Sequence, residues 1–387
     1  MAELPARLDS IIPLVDARIS LALESRSQRW AHLPHASEEL IGIAAALTAG
    51  GKRLRAVLAS IGYASLRHRS ADAQRRARFM ASQQAISLGA ALELYQASAL
   101  IHDDVIDDAP TRRGQAATHI RLSELHQDSD WLGSASTFGR SGAVLLGDLM
   151  LSAAMEVMDE AAQVVADANP SGAHEARAAF NAMTAEVAVG QYLDLRAEML
   201  PLPTPEEDPT TAGLRMEREA LTVVIHKSAR YSVMHPLVIG ALLSGAIPYS
   251  PALSALSRFG EELGVAFQLR DDELGVFGDP QVTGKPAGGD LVEGKRTVLL
   301  GQAWRRTDAA GRELLRTVLG NSEATAEQLA EATALIERCG ARAELEERIA
   351  DVTAAAMRTL EGLRSALHPA AAEDLRAMTS LLTDRRA

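Results

Sequence analysis

The chain has 387 residues, 47% of them hydrophobic and 4% aromatic. That is enough to bury a large core, and the Ala- and Leu-rich composition favours helices over sheets. A formal net charge of −12 argues against nucleic acid as a partner, and one cysteine, Cys339, excludes an internal disulfide and fits a reducing cytoplasm.

The N-terminus carries Glu3, Arg7 and Asp9 and no apolar core, so it does not read as a signal peptide. Helical periodicity predicts helices over 5–24, 37–49 and 54–67. The third is opened by Gly50-Gly51-Lys52-Arg53-Leu54-Arg55. Backbone N–H groups at a helix start favour an anion, and Lys52 and Arg55 share a face at i, i+3. Taken alone, a basic helix cap is the other reading.

A long helix is predicted over 75–107. It ends in Asp103-Asp104-Val105-Ile106-Asp107-Asp108, followed by Thr111-Arg112-Arg113-Gly114. Carboxylates crowded like this repel one another unless a cation sits among them. Asp103 and Asp107, four apart on a helix, have Cβ atoms about 6 Å apart on one face. Mg²⁺ takes one or two such carboxylates and fills its shell with waters and substrate phosphates. Arg112 and Arg113 suit bidentate phosphate contacts and supply the counter-charge for a diphosphate. A solvated acidic helix end is the competing reading, but carboxylates are unfavourable at a helix C-terminus.

Further helices are predicted over 139–166, 174–200 and 217–235. The Pro-, Thr- and acid-rich stretch 201–211 reads as a surface loop inside one domain, because the two acidic clusters would have to meet across it. The apolar run bounded by Pro236 and Pro248 is too short to span a bilayer, so no membrane span is expected. A helix over 251–276 carries the second acidic cluster, Asp271-Asp272-Glu273. The non-periodic stretch 278–294 reads as a long loop, which in a compact domain is more often functional than not. Helices over 295–306, 324–339, 342–367 and 370–382 complete the chain. There is no βαβ alternation and no internal repeat.

Gly289 to Lys295 fits the spacing of a nucleotide P-loop. However, Arg296 stands where Ser or Thr is required, Asp290 and Glu293 would oppose phosphates, and no strand precedes it. His102, His119, His226 and His235 lack metal-ligand spacing and are read as structural or surface residues.

These motifs have a shared order and spacing. They are the Gly-Gly-Lys-Arg-Leu-Arg at 50–55, Glu-Leu-Tyr-Gln at 93–96, the two acidic clusters and Thr-Arg-Arg-Gly at 111–114. Gly-Gln-Tyr-Leu-Asp at 190–194, Lys-Ser-Ala-Arg-Tyr at 227–231, Gly-Lys-Pro at 284–286 and Asp-Leu-Val-Glu-Gly-Lys-Arg-Thr at 290–297 complete them. The chain resembles the trans-isoprenyl diphosphate synthases, or polyprenyl synthetases, and is most like a geranylgeranyl diphosphate synthase.

The resemblance implies an all-α, single-domain bundle of long antiparallel helices around a deep central cavity, with residues 1–387 as one domain, acting as a cytoplasmic homodimer. It implies that an allylic diphosphate is condensed with isopentenyl diphosphate. Asp103 and Asp107 would bind two Mg²⁺ ions and Asp271 a third. Arg112, Lys227 and Lys285 would neutralise the leaving diphosphate, and Lys52, Arg55, Gln96 and Arg113 would hold isopentenyl diphosphate. Lys295 matches a further lysine near the diphosphates. Gln268 and the backbone at Lys227-Ser228 would offer partial negative charge to the allylic cation. Two positions depart from the common pattern: Gly275 stands where an aspartate is usual, and Ser228 where threonine is common.

Product length is read from the helix before Asp103. Leu92, Tyr95 and Ser98 are spaced by three along one face. Ser98 and Ala99 are small, and Tyr95, about 12 Å from Asp103 along the axis, is the first bulky residue and the expected cavity floor. That favours a C20 product, geranylgeranyl diphosphate, with C15 farnesyl diphosphate as runner-up and longer chains as a further alternative. The competing view is that Tyr95 only packs the helix. A class I terpene cyclase would not need Lys52, Arg55 and Arg113, and a non-catalytic subunit would not need the intact carboxylates and lysines.

Overall fold

The computed structural model describes residues 3–67, 70–112, 114–278 and 288–384. The described chain is all-α apart from a two-stranded hairpin, Thr111–Arg112 (β1) paired antiparallel with Gln115–Ala116 (β2). By internal contacts it divides into two compact units. Unit 1 comprises Met1–Asn181, Pro236–Ser254 and Arg364–Asp374; unit 2 comprises Ala182–His235, Ala255–Leu363 and Leu375–Ala387.

The elements begin with α1 (Glu3–Arg29), α2 (Pro34–Ala36), a π-helical turn π1 (Ser37–Ile41), α3 (Gly42–Thr48) and α4 (Leu54–Tyr63). Next come α5 (Ala73–Met80), α6 (Gln83–Ile106), the β1–β2 hairpin, α7 (Thr118–Asp128), α8 (Ala135–Ala166) and α9 (Pro170–Met199). Then follow α10 (Pro209–Val223), a second π-helix π2 (Val224–Met234), α11 (His235–Leu243), α12 (Pro251–Phe277) and α13 (Gly289–Glu293). The last are α14 (Val298–Arg306), α15 (Ala309–Val318), α16 (Ala326–Arg338), α17 (Ala341–Leu363) and α18 (Pro369–Thr383).

In unit 1, α6 is the hub and packs against α8, α4 and α1. Its Leu88, Leu92, Leu94 and Ile101 are fully buried. Each such side chain contributes about 1.5–3 kcal/mol of transfer free energy. Gly62 and Gly240 let α4 and α11 touch backbone to backbone, since a Cβ at Gly240 would meet the Ala59 carbonyl oxygen at 2.2 Å. α8 is apolar and long enough to cross a membrane by length and composition alone. Asp148 and Glu156 interrupt its apolar run in the sequence. Ala143, Leu146, Gly147 and Met150 of α8 are buried.

In unit 2, α10 packs on α14 and α14 on α17, around the fully buried Trp304. Arg305 of α14 binds both Glu217 of α10 (2.7 Å) and Glu344 of α17.

Several sequence expectations are corrected. The helix predicted over 75–107 is two helices: Ser82 adopts an extended ψ of 154° and its hydroxyl donates to the Phe79 carbonyl at 2.8 Å. Serine side chains compete with helical hydrogen bonding in this way. The stretch 37–49 opens with a π turn, and 217–235 is α-helical only to Val223 before it becomes π2. α7, α11 and α15 lie outside the helices that the periodicity predicts. Asp308, which caps α15 by accepting from Gly311 N–H at 2.8 Å, was the available signal. The stretch 201–211 joins α9 to α10 within unit 2, and its Pro203 carbonyl is held by Arg316. Of the loop expected over 278–294, residues 279–287 lie outside the described residues, and Gly289–Glu293 is a helical turn.

Candidate active site

The acidic end of α6 keeps the geometry that its spacing predicts. Asp107 N–H donates to the Asp103 carbonyl at 2.8 Å, so the two residues lie one turn apart. Both are half-buried. Asp104 is different: it is 1% exposed and accepts from Arg112 Nε at 2.7 Å and from Arg112 Nη2. Arg112 also reaches Asp103 Oδ2 at 3.5 Å. Burial works against the Arg112 charge, but the Asp104 hydrogen bonds outweigh it and raise its pKa. Asp104 therefore orients the arginine beside the Asp103–Asp107 pair. Arg113 lies outside the described residues.

The basic loop before α4 is built on left-handed backbone, with φ of 68° at Gly50, 116° at Gly51 and 47° at Arg53. Only glycine takes such angles without strain, and Arg53 pays with anchorage. Its guanidinium is buried and donates to Asp16 of α1 (2.7 Å), to Glu93 of α6 (3.4 Å) and to the Thr48 carbonyl. Lys52 is left exposed and Arg55 half-exposed. The Glu-Leu-Tyr-Gln motif on α6 is the other half of this arrangement. Glu93 holds Arg53, the Arg55 charge acts on Tyr95, and Gln96 is half-buried. Arg53 and Glu93 had no role in the sequence reading.

Tyr95 is 5% exposed and meets Phe180 of α9 edge-on, with centroids 6.3 Å apart. Burial raises its phenol pKa well above the ordinary value, against the pull of Arg55. Ser98 is buried and Ala99 half-buried. The half-exposed residues in the last two turns of α6 leading to Asp103 are Gln96, Ala99, Leu100 and His102.

The second acidic cluster, in unit 2, is split by burial. Asp271 is exposed, Asp272 buried, and Glu273 buried and bound by Arg342 at 2.8 Å and by Arg270. Gln268 donates to Asp272 at 2.8 Å. Burial pushes Asp272 up to about 8 against that hydrogen bond, with the charges of Asp290 and Asp271 adding to the rise. Gly275 now has a physical account. A Cβ there would lie 2.0 Å from Asp290 Oδ2, so the space next to this cluster is filled by the Asp290 carboxylate. Lys295 pairs with Glu293 at 3.1 Å, and its charge acts on Asp272. Lys285 lies outside the described residues. Arg296 donates to the Ala197, Glu198 and Leu200 carbonyls, capping α9, which is a structural task unlike a P-loop's.

Lys227 and Ser228 sit in π2, both half-buried. Lys227 Nζ donates to Asp194 of the Gly-Gln-Tyr-Leu-Asp motif at 2.6 Å. Gly190 of that motif admits the π2 backbone, since a Cβ there would meet Lys227 N at 2.4 Å.

Among the described residues, no three His, Cys, Asp or Glu side chains gather into a self-sufficient metal cage. Two carboxylates one turn apart, Asp103 and Asp107, fit a hard cation that shares its shell with substrate oxygens. The accessible pair is Asp103 and Asp107, because Asp104 is committed to Arg112.

The sequence profile of the family described as polyprenyl synthetase matches residues 38–336. The chain belongs to the polyprenyl synthetase family. It is 30% identical over 309 residues to the short chain isoprenyl diphosphate synthase of Methanothermobacter thermautotrophicus, covering 80% of this chain and 78% of that one. It is 32% identical over 307 residues to the geranylfarnesyl diphosphate synthase of Aeropyrum pernix, covering 78% and 80%. Among solved structures, a geranylgeranyl pyrophosphate synthase from Corynebacterium glutamicum, complexed with isoprenyl diphosphate and magnesium, matches with a TM-score of 0.83 at 31% identity, covering 98% and 99%. This polyprenyl synthetase is thus a trans-prenyltransferase with the all-α type I isoprenoid synthase fold. The relatives' names span different product lengths, so family membership alone leaves product length open.

Proposed function

We propose that this polyprenyl synthetase, acting as one functional domain over 1–387, condenses an allylic diphosphate with isopentenyl diphosphate in a Mg²⁺-dependent reaction. The observation that carries the reading is the Asp103–Asp107 pair one turn apart, with Arg112 oriented beside it by Asp104. Asp103 and Asp107 hold two of the ions and Asp271 a third. Bound Mg²⁺ supplies Lewis-acid stabilisation of the departing diphosphate.

The chain's own residues do the rest. As the allylic C–O bond breaks, negative charge grows on the diphosphate and positive charge on carbon. Arg112, Lys227 and Lys285 neutralise the first. Gln268 and the backbone at Lys227-Ser228 present partial negative charge to the second. Lys52, Arg55, Gln96 and Arg113 hold isopentenyl diphosphate, with Lys295 as a further cation near the diphosphates. The new C–C bond forms, and a proton passes to the released diphosphate.

For the product we propose C20 geranylgeranyl diphosphate. Its support is Tyr95 buried against Phe180, beyond the small Ser98 and Ala99. We propose that it acts as a cytoplasmic homodimer and binds no nucleic acid. The exposed Val144, Leu145 and Met155 of α8 support a second copy as partner. The test is to incubate the purified chain with Mg²⁺, isopentenyl diphosphate and C5, C10 or C15 allylic diphosphates, then dephosphorylate and chromatograph the alcohols. A C20 alcohol is expected. No elongation with any primer overturns the reading, and a C15 end point overturns the product assignment.

A further inference from the structure

π2 is long for a π-helix. Segments with i→i+5 bonding are usually single-turn bulges, and they recur at functional sites. Here the winding persists over Val224–Met234, and the N–H of His235 still donates to the Arg230 carbonyl five residues back.

The winding has a consequence for side chains. At about 100° per residue, an α-helix would point His226 and His235 roughly 180° apart. At about 82° per residue, i→i+5 winding returns them to within roughly 20° of each other, with Arg230 near the same side. One carboxylate meets all three. Glu186 Oε1 accepts from His226 Nδ1 at 2.7 Å and from Arg230 Nη1 at 2.6 Å, and Oε2 pairs with His235 Nε2 at 2.9 Å. Arg230 Nε continues to Glu261 of α12 at 2.7 Å.

Two other contacts sandwich the same segment. On α9, Gly190, one turn after Glu186, admits the backbone at Lys227, and Asp194, one turn further, holds the Lys227 ammonium. On α12, a Cβ at Gly264 would meet the Ala229 carbonyl oxygen at 2.3 Å, and one at Gly260 would meet Met234 Cα at 2.6 Å. The glycines permit the approach, but they do not choose the winding. The Glu186 hydrogen bonds do, because α-winding would carry His235 away from the carboxylate.

We infer that Glu186 is a positioning residue: by gathering His226, Arg230 and His235 it holds π2 in its wide winding and so fixes where Lys227 and Ser228 point. The inference rests on the roles proposed above for those two residues. It assigns Glu186, His226 and His235 a task in the reaction without contact with substrate. Glu186 accepts on both oxygens, so the neutral amide of Glu186→Gln keeps the shape and loses one accepting oxygen.

The test compares wild type with Glu186→Gln, His235→Gln and His235→Leu. Turnover is read at saturating substrates, KM is read for isopentenyl diphosphate, and amide hydrogen exchange is followed across 224–234 and across α14. For Glu186→Gln we expect at least a tenfold fall in kcat, KM for isopentenyl diphosphate within twofold, and at least tenfold faster exchange in 224–234 with α14 unchanged. His235→Gln keeps a donor near the position of Nε2 and should hold kcat within threefold. His235→Leu fills the volume without the donor and should lose at least tenfold. If Glu186→Gln does not fold, the two His235 variants decide. Equal kcat in both overturns the inference, as does a Glu186→Gln enzyme with kcat within twofold or with unchanged exchange in 224–234. A wild type that elongates no primer defeats the functional reading instead, and the exchange measurement still tests the winding.

Discussion

The end of α6 and the π2 segment both carry candidate catalytic groups, but they organise them by opposite means. At the end of α6, ordinary α-helical geometry places Asp103 and Asp107 one turn apart, and tertiary contacts only decide that Asp104 turns inward to Arg112. In π2, tertiary contacts decide the winding itself, and Lys227 takes its place where Glu186, Gly190 and Asp194 of α9 meet that winding. A local rule positions the carboxylates, and a long-range network positions the lysine.

The strongest way to break this comparison is at the carboxylates. Asp103→Ala or Asp271→Ala should lower turnover by about a thousandfold, since metal stabilisation of a developing diphosphate is worth several kcal/mol. Circular dichroism should remain unchanged. Activity that survives in both variants, or in EDTA, would remove metal from the mechanism.

Next in size is the basic loop. Arg55→Gln removes charge-assisted contacts worth about 2 kcal/mol. KM for isopentenyl diphosphate should rise by roughly 30-fold and KM for the allylic partner by less than twofold, as measured by initial rates with each substrate varied in turn. Equal rises would contradict the division of the two substrates.

Asp194→Asn sharpens the other side. It leaves the Lys227 ammonium beside a neutral amide, which should cost about tenfold in kcat through weaker orientation of the lysine. A kcat equal to wild type would mean that Lys227 does not need its partner.

Tyr95→Ala should change the product rather than the rate. Opening the packed contact with Phe180 should extend products beyond C20, visible by chromatography of the alcohols. An unchanged profile would leave Tyr95 as core packing alone.

The smallest effect is a matter of pH. Burial tends to raise the Glu186 pKa, but hydrogen bonds from His235, Arg230 and His226 outweigh it and pull it from 4.5 to about 2. A carboxylate depressed on folding stabilises the fold above its unfolded value and loses that contribution as pH falls through the folded value. Denaturant midpoints should therefore decline between 4.5 and about 2, and Glu186→Gln should flatten that decline.

The sequence alone determined the helical class, both acidic clusters and the basic loop, because each depends on spacing within one element. Apolar positions recurring at helical period and carboxylates four apart need no knowledge of the rest of the chain. It did not reveal that Arg53 would be buried between Asp16 and Glu93, or that Asp290 would fill the space that Gly275 leaves. Those pairings join residues distant in the chain. Only the tertiary structure decided π2, because α- and π-winding draw on the same residues and similar backbone hydrogen bonds, and the choice between them rests on the carboxylate of Glu186, with the glycines at 190, 260 and 264 permitting the close approach.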